Sequence, residues 1–251
     1  MGADLSNPVQ GAKRSGRSGL SWRRLWGVIF DPVATFASLA RQPDFGAPLL
    51  LLIGVAVAVT EVMLRRIGLA EIVRRNLQLS GRASRMTPQQ MQQAISQGVR
   101  MGAVAVHFRA PLGVFFSLLI MTVIGAAILK AGCGSRVGFK TAFSVAAYAD
   151  LPAALAGLLS LVVLVMGDPA RLNPGNVNPA NIGFYLSPLS LSRPVYVLAA
   201  SADFSTLWFL GLFSIGLAST TKGRARPRGI FLCLLVLWAA WVAVKVGLAA
   251  L

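Results

Sequence analysis

Residues 141–166 read TAFSVAAYADLPAALAGLLSLVVLVM, an apolar run in which Asp150 is the sole charged side chain. A helix that crosses the hydrocarbon layer of a bilayer needs roughly 20 apolar residues, because each residue adds about 1.5 Å and the layer is about 30 Å thick. This run meets that length. In the chain as a whole, 55% of the 251 residues are hydrophobic and 13% are charged, a composition typical of a membrane protein rather than of a soluble domain.

Four further apolar blocks of comparable length occur along the chain, each bounded by charge, Gly or Pro. They cover residues 45–63, 111–131, 203–219 and 229–248. Together with 141–166 they predict an all-α, polytopic bundle of five transmembrane helices, in one domain over residues 43–251. An odd number of crossings places the two termini on opposite sides of the membrane.

The segment before the first block is not uniformly apolar. Residues 1–20 are polar and rich in Gly and Ser, without the apolar stretch of a signal peptide, so we expect a flexible basic arm. Residues 21–42 predict amphipathic interfacial helices, because apolar side chains recur at helical spacing beside Arg23 and Arg24. The recurring apolar residues are Trp22, Leu25, Trp26, Ile29 and Phe30. Trp and Arg both favour the headgroup layer of a bilayer.

Two helix starts can be located from their capping residues. Asp31 followed by Pro32 is a typical N-cap and first-turn pair, which predicts a second short helix from there to about Arg41. Residues 87–90 read TPQQ, which has the spacing of a capping box with Pro at the first helical position. That motif predicts a short helix from position 88 to about Gly98.

Lys and Arg outnumber Asp and Glu by 24 to 8, and the basic residues lie almost wholly between or beside the apolar blocks. This distribution favours anionic lipid headgroups over nucleic acid as a partner, since no basic and aromatic binding module is found. The dense charge at 222–228 favours a cytoplasmic N-terminus, whereas the eight arginines of the first loop, 65–109, favour the opposite orientation. The third loop, 167–194, is rich in Asn, Pro and Gly and predicts turns rather than helix.

Asp150 is the leading candidate for a functional residue, because an ionisable group inside a bilayer is costly. It lies in the segment Tyr148-Ala149-Asp150-Leu151-Pro152, where Pro152 removes a backbone donor and loosens the preceding turn. One interpretation is an ion or proton site built from Asp150 and the freed carbonyl groups, as in transporters with broken helices. The other is a structural kink whose carboxylate reaches a neighbouring helix or a water pocket.

Two other acidic residues lie near the ends of the predicted crossings. Glu61 precedes Arg65 by four residues, a spacing that permits an ion pair on one helical face. Asp203 begins the fourth crossing, where capping of the helix explains an acid better than chemistry does. Either residue could still contribute to a functional site.

Small residues recur at four-residue spacing in two of the crossings. One stripe is Ala149, Ala153 and Gly157, and the other is Ala239, Ala243 and Gly247. Such stripes let helix backbones approach closely, and they are typical of a packed bundle or of an interface in a homo-oligomer or with other membrane proteins.

No pattern of a known catalytic centre occurs: HExxH, GxSxG, the P-loop and the Rossmann glycine fingerprint are all lacking. Cys133 and Cys233 have no metal-ligand neighbours and form no disulfide framework, and His107 fits an interfacial or structural role. We therefore expect no catalytic residue, no metal site and no cofactor, and we predict that the protein is not an enzyme.

The order and spacing of several motifs around these apolar blocks resemble the Yip family, the Ypt/Rab-interacting membrane proteins, over roughly residue 25 to the C-terminus. The motifs include Asp31-Pro32, Phe36, Pro43 and Pro48, then 148–152, then Asp203-Phe204, Trp208, Leu212, Gly216 and Leu217. The resemblance implies a five-helix bundle with a cytoplasmic N-terminus and no enzymatic activity. Eukaryotic members are linked to Rab GTPases, vesicle budding and membrane shaping.

This chain differs from the eukaryotic members in its short N-terminal arm, which argues against binding of a Rab-type GTPase. Its Ala- and Arg-rich composition indicates a GC-rich bacterial genome, so we predict a multi-pass protein of the bacterial cytoplasmic (inner) membrane. The preferred hypothesis is a membrane organiser or scaffold in which Trp22, Trp26 and Phe30 insert into one leaflet. The alternative is a small transporter or channel subunit that uses Asp150 and Pro152.

Overall fold

The computed structural model describes residues 22–250, and the arm predicted at 1–20 lies outside the described residues. The described chain is helical and contains no β-strand beyond a single bridge between Asn181 and Asp203. Its α-helices are α1 (Trp22–Phe30), α2 (Pro32–Arg41), α3 (Gly46–Ile67), α4 (Leu69–Leu79), α5 (Pro88–Cys133), α6 (Phe139–Ala149), α7 (Leu151–Met166), α8 (Arg193–Ser201), α9 (Phe204–Ser219) and α10 (Pro227–Ala250). The prediction of an all-α protein is thereby confirmed.

Within residues 22–250, four helical segments are long and apolar enough to cross a bilayer. They are Gly46–Ile67, Pro88–Cys133, Phe139–Met166 and Pro227–Ala250. The fourth predicted crossing corresponds to α9, which is equally apolar in character but has only 16 residues. It is therefore shorter than the roughly 20 residues that a lipid-exposed crossing needs.

α5 is longer than the sequence predicts. Its capping box is confirmed, because the Thr87 side chain accepts from the Gln90 N–H while the Gln90 side chain accepts from the Thr87 N–H. The expected end near Gly98 is wrong, since the helix continues for 46 residues to Cys133. α4 packs along its polar half, and a Cβ at position 98 would lie 2.8 Å from a methyl group of Val73. Packing of this kind stabilises a helix beyond what local sequence indicates.

The third predicted crossing is broken in the middle. Its two halves, α6 and α7, meet at Asp150, whose backbone leaves the helical region at φ −83° and ψ 3°. Pro152 has no N–H to donate, and the next donor, Ala153, bonds the Asp150 carbonyl oxygen. The helix is thus interrupted where the sequence places proline after an acid.

α9 forms the centre of the bundle, packed against α2, α6, α7 and α10. The closest approach is at Gly216, where an added Cβ would lie 2.4 Å from Val145 Cγ1 and 3.0 Å from the Phe36 ring. Phe36, Val145 and Phe213 are fully or almost fully buried around it. A glycine is required here because three helices share the space that one side chain would fill.

The N-terminal helices are not merely laid on the surface. Val28, Phe36 and Leu39 are fully buried in the core, so one face of α1 and α2 belongs to the bundle. Asp31 is the N-cap of α2, as its sequence predicts, and accepts from the Ala34 N–H at 3.2 Å. The apolar residues that recur at helical spacing in α1 do not share one environment. Leu25 faces the core, whereas Trp22 and Trp26 face outward.

The third loop contains the predicted turns, together with a short 3-10 turn at Ile182–Tyr185. The prediction of turns without helix fails at its end, where α8 begins at Arg193. α8 packs against α10 and against the 3-10 turn, and the N–H of Phe204 at the start of α9 donates to the Ala180 carbonyl oxygen at 3.0 Å. Because these contacts stabilise α8, it can form without a long apolar sequence of its own.

Candidate functional site

A polar network joins α1, the α2–α3 connection and α6. The fully buried Tyr148 donates its hydroxyl to Asp44 Oδ1 at 3.0 Å. The guanidinium of Arg24 forms an ion pair with the same carboxylate and also donates to the Gln42 carbonyl oxygen at 2.9 Å. The network therefore connects α1 to α6 through one shared carboxylate, that of Asp44.

Asp44 was not singled out by the sequence, although it is central to this network. It lies in the polar connection just before the first apolar block and is not the N-cap of α3, a position held by Phe45. An acid beside a crossing, without a capping role and with arginines in the preceding helix, is the signal that could have identified it. Tyr148 belongs to the segment that the sequence singled out, but its partner Asp44 lies 104 residues away in the chain.

Asp150 faces a cavity of about 190 Å³ at the break between α6 and α7. The cavity is lined on the other sides by α5 and α9, through Ser117, Leu118, Met121, Ser205, Thr206 and Phe209. Within residues 22–250, no protein group donates a hydrogen bond to the Asp150 side chain. One acidic residue and three hydroxyl-bearing residues thus line a space that is large enough to hold water or a small cation.

Asp203 is the N-cap of α9, as the sequence predicts. Its Oδ1 accepts from the backbone N–H of Ser205 at 2.8 Å and from the Ser205 hydroxyl at 2.7 Å. Its Oδ2 accepts from the side-chain amide of Asn178 at 3.1 Å. Asp203 therefore orients a hydroxyl that lines the Asp150 cavity. Trp208 lies outside that cavity, half-buried, with its ring 5.8 Å from the ring of Phe204.

Glu61 and Asp150 lie in different places, so the structure does not bring these two candidate acids together. Glu61 contacts Nδ1 of His107 in α5 at 2.6 Å. The ion pair with Arg65 that the sequence spacing permits is not formed among the described residues. The sequence did not predict His107 as the partner of Glu61, because the two residues are 46 positions apart.

Lys245 is a further polar residue inside a crossing that sequence analysis passed over. Its ammonium group donates to the Ser201 hydroxyl at 2.8 Å and so connects α10 to the end of α8. A lone lysine in an otherwise apolar block was the available signal, since such a charge needs a partner or access to the interface.

Arginines of the first loop hold the third loop in place. Arg66 donates to the carbonyl oxygens of Leu164 and Gly167 at 3.1 and 3.0 Å, and so satisfies the C-terminal end of α7. Arg75 donates to the carbonyl oxygens of Pro169 and Leu172 at 3.0 and 2.6 Å. Part of the arginine-rich first loop is thus explained by structural contacts with the third loop.

Glu71 holds two of these arginines in position. Its carboxylate accepts from Arg74 at 2.7 Å and from Arg75 at 2.6 Å. The hydrogen bond from Arg74, followed by the one from Arg75, lowers the pKa of Glu71 from 4.5 to about 2. The carboxylate is therefore ionised throughout the physiological pH range.

The predicted interfacial residues form an outward-facing row on α1. Trp22, Trp26 and Phe30 are 52%, 68% and 77% exposed, and the Trp26 and Phe30 rings stack with centroids 6.4 Å apart. Arg23 is also exposed, whereas Arg24 turns inward to Asp44. The described residues therefore combine an exposed aromatic row with an anchored inner face.

The two small-residue stripes differ in their surroundings. In the first stripe, a Cβ at Gly157 would lie 2.5 Å from a methyl group of Val55, so α7 approaches α3 closely at this position, whereas Ala153 is exposed. In α10, Ala239, Ala243 and Gly247 are exposed, and nothing in the described chain lies near Gly247. The second stripe is therefore a free outer face of the monomer.

No group of three or more His, Cys, Asp or Glu residues is arranged to hold a metal ion in residues 22–250. A comparison with protein families found that the model described as the Yip1 domain matches residues 26–247. Searches of curated proteins and of solved structures found no match. The matched region includes α2 to α9 completely, together with most of α1 and α10.

Proposed function

This chain belongs to the Yip1 family, and we propose that it is a non-enzymatic protein that organises or shapes the bilayer, or scaffolds other membrane proteins. The family match and the long apolar helices make it a multi-pass integral membrane protein whose outer surface contacts lipid. The finer role rests on one observation, the aromatic row on α1. Its three side chains point away from a bundle that holds the helix firmly.

The α1 helix has the properties of a wedge. An amphipathic helix that inserts shallowly displaces headgroups in one leaflet, provided that it stays at that depth. Here Leu25 and Val28 anchor the inner face in the core, and the ion pair between Arg24 and Asp44 fixes the end of the helix. An anchored helix transmits the insertion of Trp26 and Phe30 to the whole bundle.

The proposed architecture has five crossings, with α9 as the fourth. α9 is short, but it runs through the centre of the bundle and is surrounded by protein along most of its length. α8 precedes it in the chain and packs against α10 and against the turn at Ile182–Tyr185. A crossing buried in protein need not match the full lipid thickness, because other segments complete it.

We place the N-terminus in the cytoplasm and the protein in a bacterial inner membrane. The four basic residues at 222–228 support this orientation, because cytoplasmic loops are enriched in Lys and Arg. Against it stand the first-loop arginines, but Arg66 and Arg75 have structural partners that account for their position. No nucleic acid, Rab-type GTPase, metal or cofactor is included in this proposal.

The test uses the full chain reconstituted into vesicles of phosphatidylethanolamine and phosphatidylglycerol, with vesicle shape recorded by cryo-electron microscopy. The double variant Trp22→Ser, Trp26→Ser should reduce the protein-dependent fraction of tubules and small vesicles. Trp241→Ser is the matched control, because Trp241 is likewise an exposed tryptophan, at 60%, but lies on α10 and outside the aromatic row of α1. Equal shaping by the double variant and the wild type would exclude the wedge.

A second candidate function is transport of a small cation or proton through the Asp150 site. The observation that favours it is the cavity beside a broken helix that Asp150 lines together with Ser117, Ser205 and Thr206. In flux assays with sealed vesicles, Asp150→Asn should abolish transport if the carboxylate carries the ion. Flux that persists in this variant, or is absent from the wild type, rules the candidate out.

A further inference from the structure

A second cavity lies at the other end of the bundle from α1, between α4 and the third loop. Its volume is about 530 Å³. α4 supplies Arg74, Arg75 and Gln78 to one wall, and the third loop supplies Arg171 and Leu189 to the other. The two walls are held together by the donation from Arg75 to the carbonyl oxygens of that loop.

The cavity has an excess of positive charge. Three arginines line it against one acid, Glu71. The pairing with Glu71 uses Nε and Nη2 of Arg74, and no hydrogen bond in the described chain occupies its Nη1. The Arg171 side chain is 89% exposed, and its one ion pair among the described residues is a 3.7 Å contact with Asp168. Guanidinium donors thus remain available for an anion with several oxygen atoms.

One of the arginines is positioned before any ligand arrives. Arg75 is only 18% exposed, with Nε on Glu71 and Nη1 on two carbonyl oxygens, so its remaining Nη2 has a fixed direction. Preorganisation of this kind lowers the entropy cost of binding. The planar fork of a guanidinium also matches the oxygen atoms of a phosphate.

The position of the cavity selects the source of the phosphate. Arg66, at the end of α3, binds the carbonyl oxygens of Leu164 and Gly167 at the end of α7, so the adjoining cavity lies where two crossings leave the hydrocarbon layer. Tyr185 and Leu189 of the same loop are 72% and 80% exposed. Exposed apolar groups beside a basic cavity at this depth provide a path for acyl chains.

We propose that this cavity binds the phosphate of an anionic phospholipid, with Arg74, Arg75 and Arg171 as donors and Leu189 against the acyl chains. The site lies in the leaflet opposite to α1 and is independent of the wedge. It would tie the first and third loops to the lipid of that leaflet.

Binding can be measured by native mass spectrometry of the full chain in an uncharged detergent, with added phosphatidylglycerol. Arg171→Gln and Arg74→Gln should each raise the dissociation constant about tenfold, the usual effect of losing a charge-assisted hydrogen bond. Arg82→Gln and Arg85→Gln are matched controls, since they remove the same charge from the first loop, which also contains Arg74, at positions outside the cavity. They should leave the dissociation constant within about twofold.

Three results would overturn the proposal. Equal weakening by the control variants would mean attraction to surface charge, without a built site. Unchanged binding in Arg171→Gln and Arg74→Gln would place the lipid elsewhere. Inorganic phosphate that displaces phosphatidylglycerol at equal concentration would mean that the acyl chains make no contact and that the site takes free phosphate.

Discussion

At one end of the bundle, α1 and α2 are held by buried apolar side chains, with an ion pair between Arg24 and Asp44 at the edge. At the other end, α4 and the third loop are joined by guanidinium groups that donate to backbone carbonyl oxygens. Apolar packing leaves the aromatic side chains of α1 free to face lipid. The arginine contacts instead create a polar cavity, and they depend on charge. The two ends are therefore expected to respond differently to mutation and to pH.

The largest expected effect is the loss of apolar packing at the α1 and α2 end. Phe36→Ala should lower the free energy of unfolding by about 3 to 5 kcal/mol, because the side chain is fully buried against α9. Phe30→Ala is the matched control, since Phe30 is 77% exposed. Unfolding titrations in sodium dodecyl sulfate would measure both. If both variants lost equal stability, the inner face of α2 would not belong to the core.

A smaller effect is expected at the opposite end from Arg75→Gln. This change removes the donor to two carbonyl oxygens and to Glu71, and loss of a charged hydrogen-bond donor costs about 1.5 to 3 kcal/mol. Amide hydrogen exchange should accelerate in residues 168–173 while α2 is unaffected. Exchange that accelerates equally in α2 would show that the two ends are not held independently.

Tyr148→Phe tests the polar edge of the α1 end. Removal of the hydroxyl that donates to Asp44 should cost about 1 kcal/mol and increase protease cleavage within α1. Tyr185→Phe serves as the control, because the Tyr185 ring is 72% exposed and its hydroxyl bond lies in the third loop. Unchanged cleavage of α1 in Tyr148→Phe would mean that apolar contacts alone hold the helix.

The smallest expected effect is a loss of stability at low pH at the end of the bundle that holds the third loop. The pKa of Glu71 is lowered to about 2 in the folded chain from 4.5, so its contribution is present above pH 4.5 and declines as the pH falls towards 2. Exposure to solvent keeps that contribution small. Melting temperatures between pH 5 and 3 should fall slightly more for the wild type than for Glu71→Gln. Parallel curves would assign the acid dependence to other groups.

The features that local sequence could predict are those that depend on neighbours in the chain. Apolar block length predicted the long helices, and the caps at Asp31, Thr87 and Asp203 follow from residues within three positions. The interruption at Asp150 likewise follows from Pro152 two residues later.

What the sequence could not predict depends on distant parts of the chain. α5 continues past Gly98, where it packs against Val73 of α4, a partner that lies outside the local sequence. Asp44 and Tyr148 are 104 residues apart, and the targets of Arg66 and Arg75 are backbone carbonyl oxygens. Every residue carries such an acceptor, so nothing in the side-chain sequence marks the ones that an arginine will bind. For the same reason, the charge pattern alone could not separate structural arginines from those that set orientation.

The most direct test of the account is the sidedness of its two ends. In a chain carrying Cys133→Ser and Cys233→Ser, single cysteines would be introduced by Arg85→Cys in the first loop and Arg224→Cys in the fourth, and labelled with a membrane-impermeant maleimide in oriented vesicles. Five crossings predict that the two positions are labelled from opposite faces of the membrane. Labelling of both from the same face would show that α9 does not cross, and would contradict the architecture of five crossings.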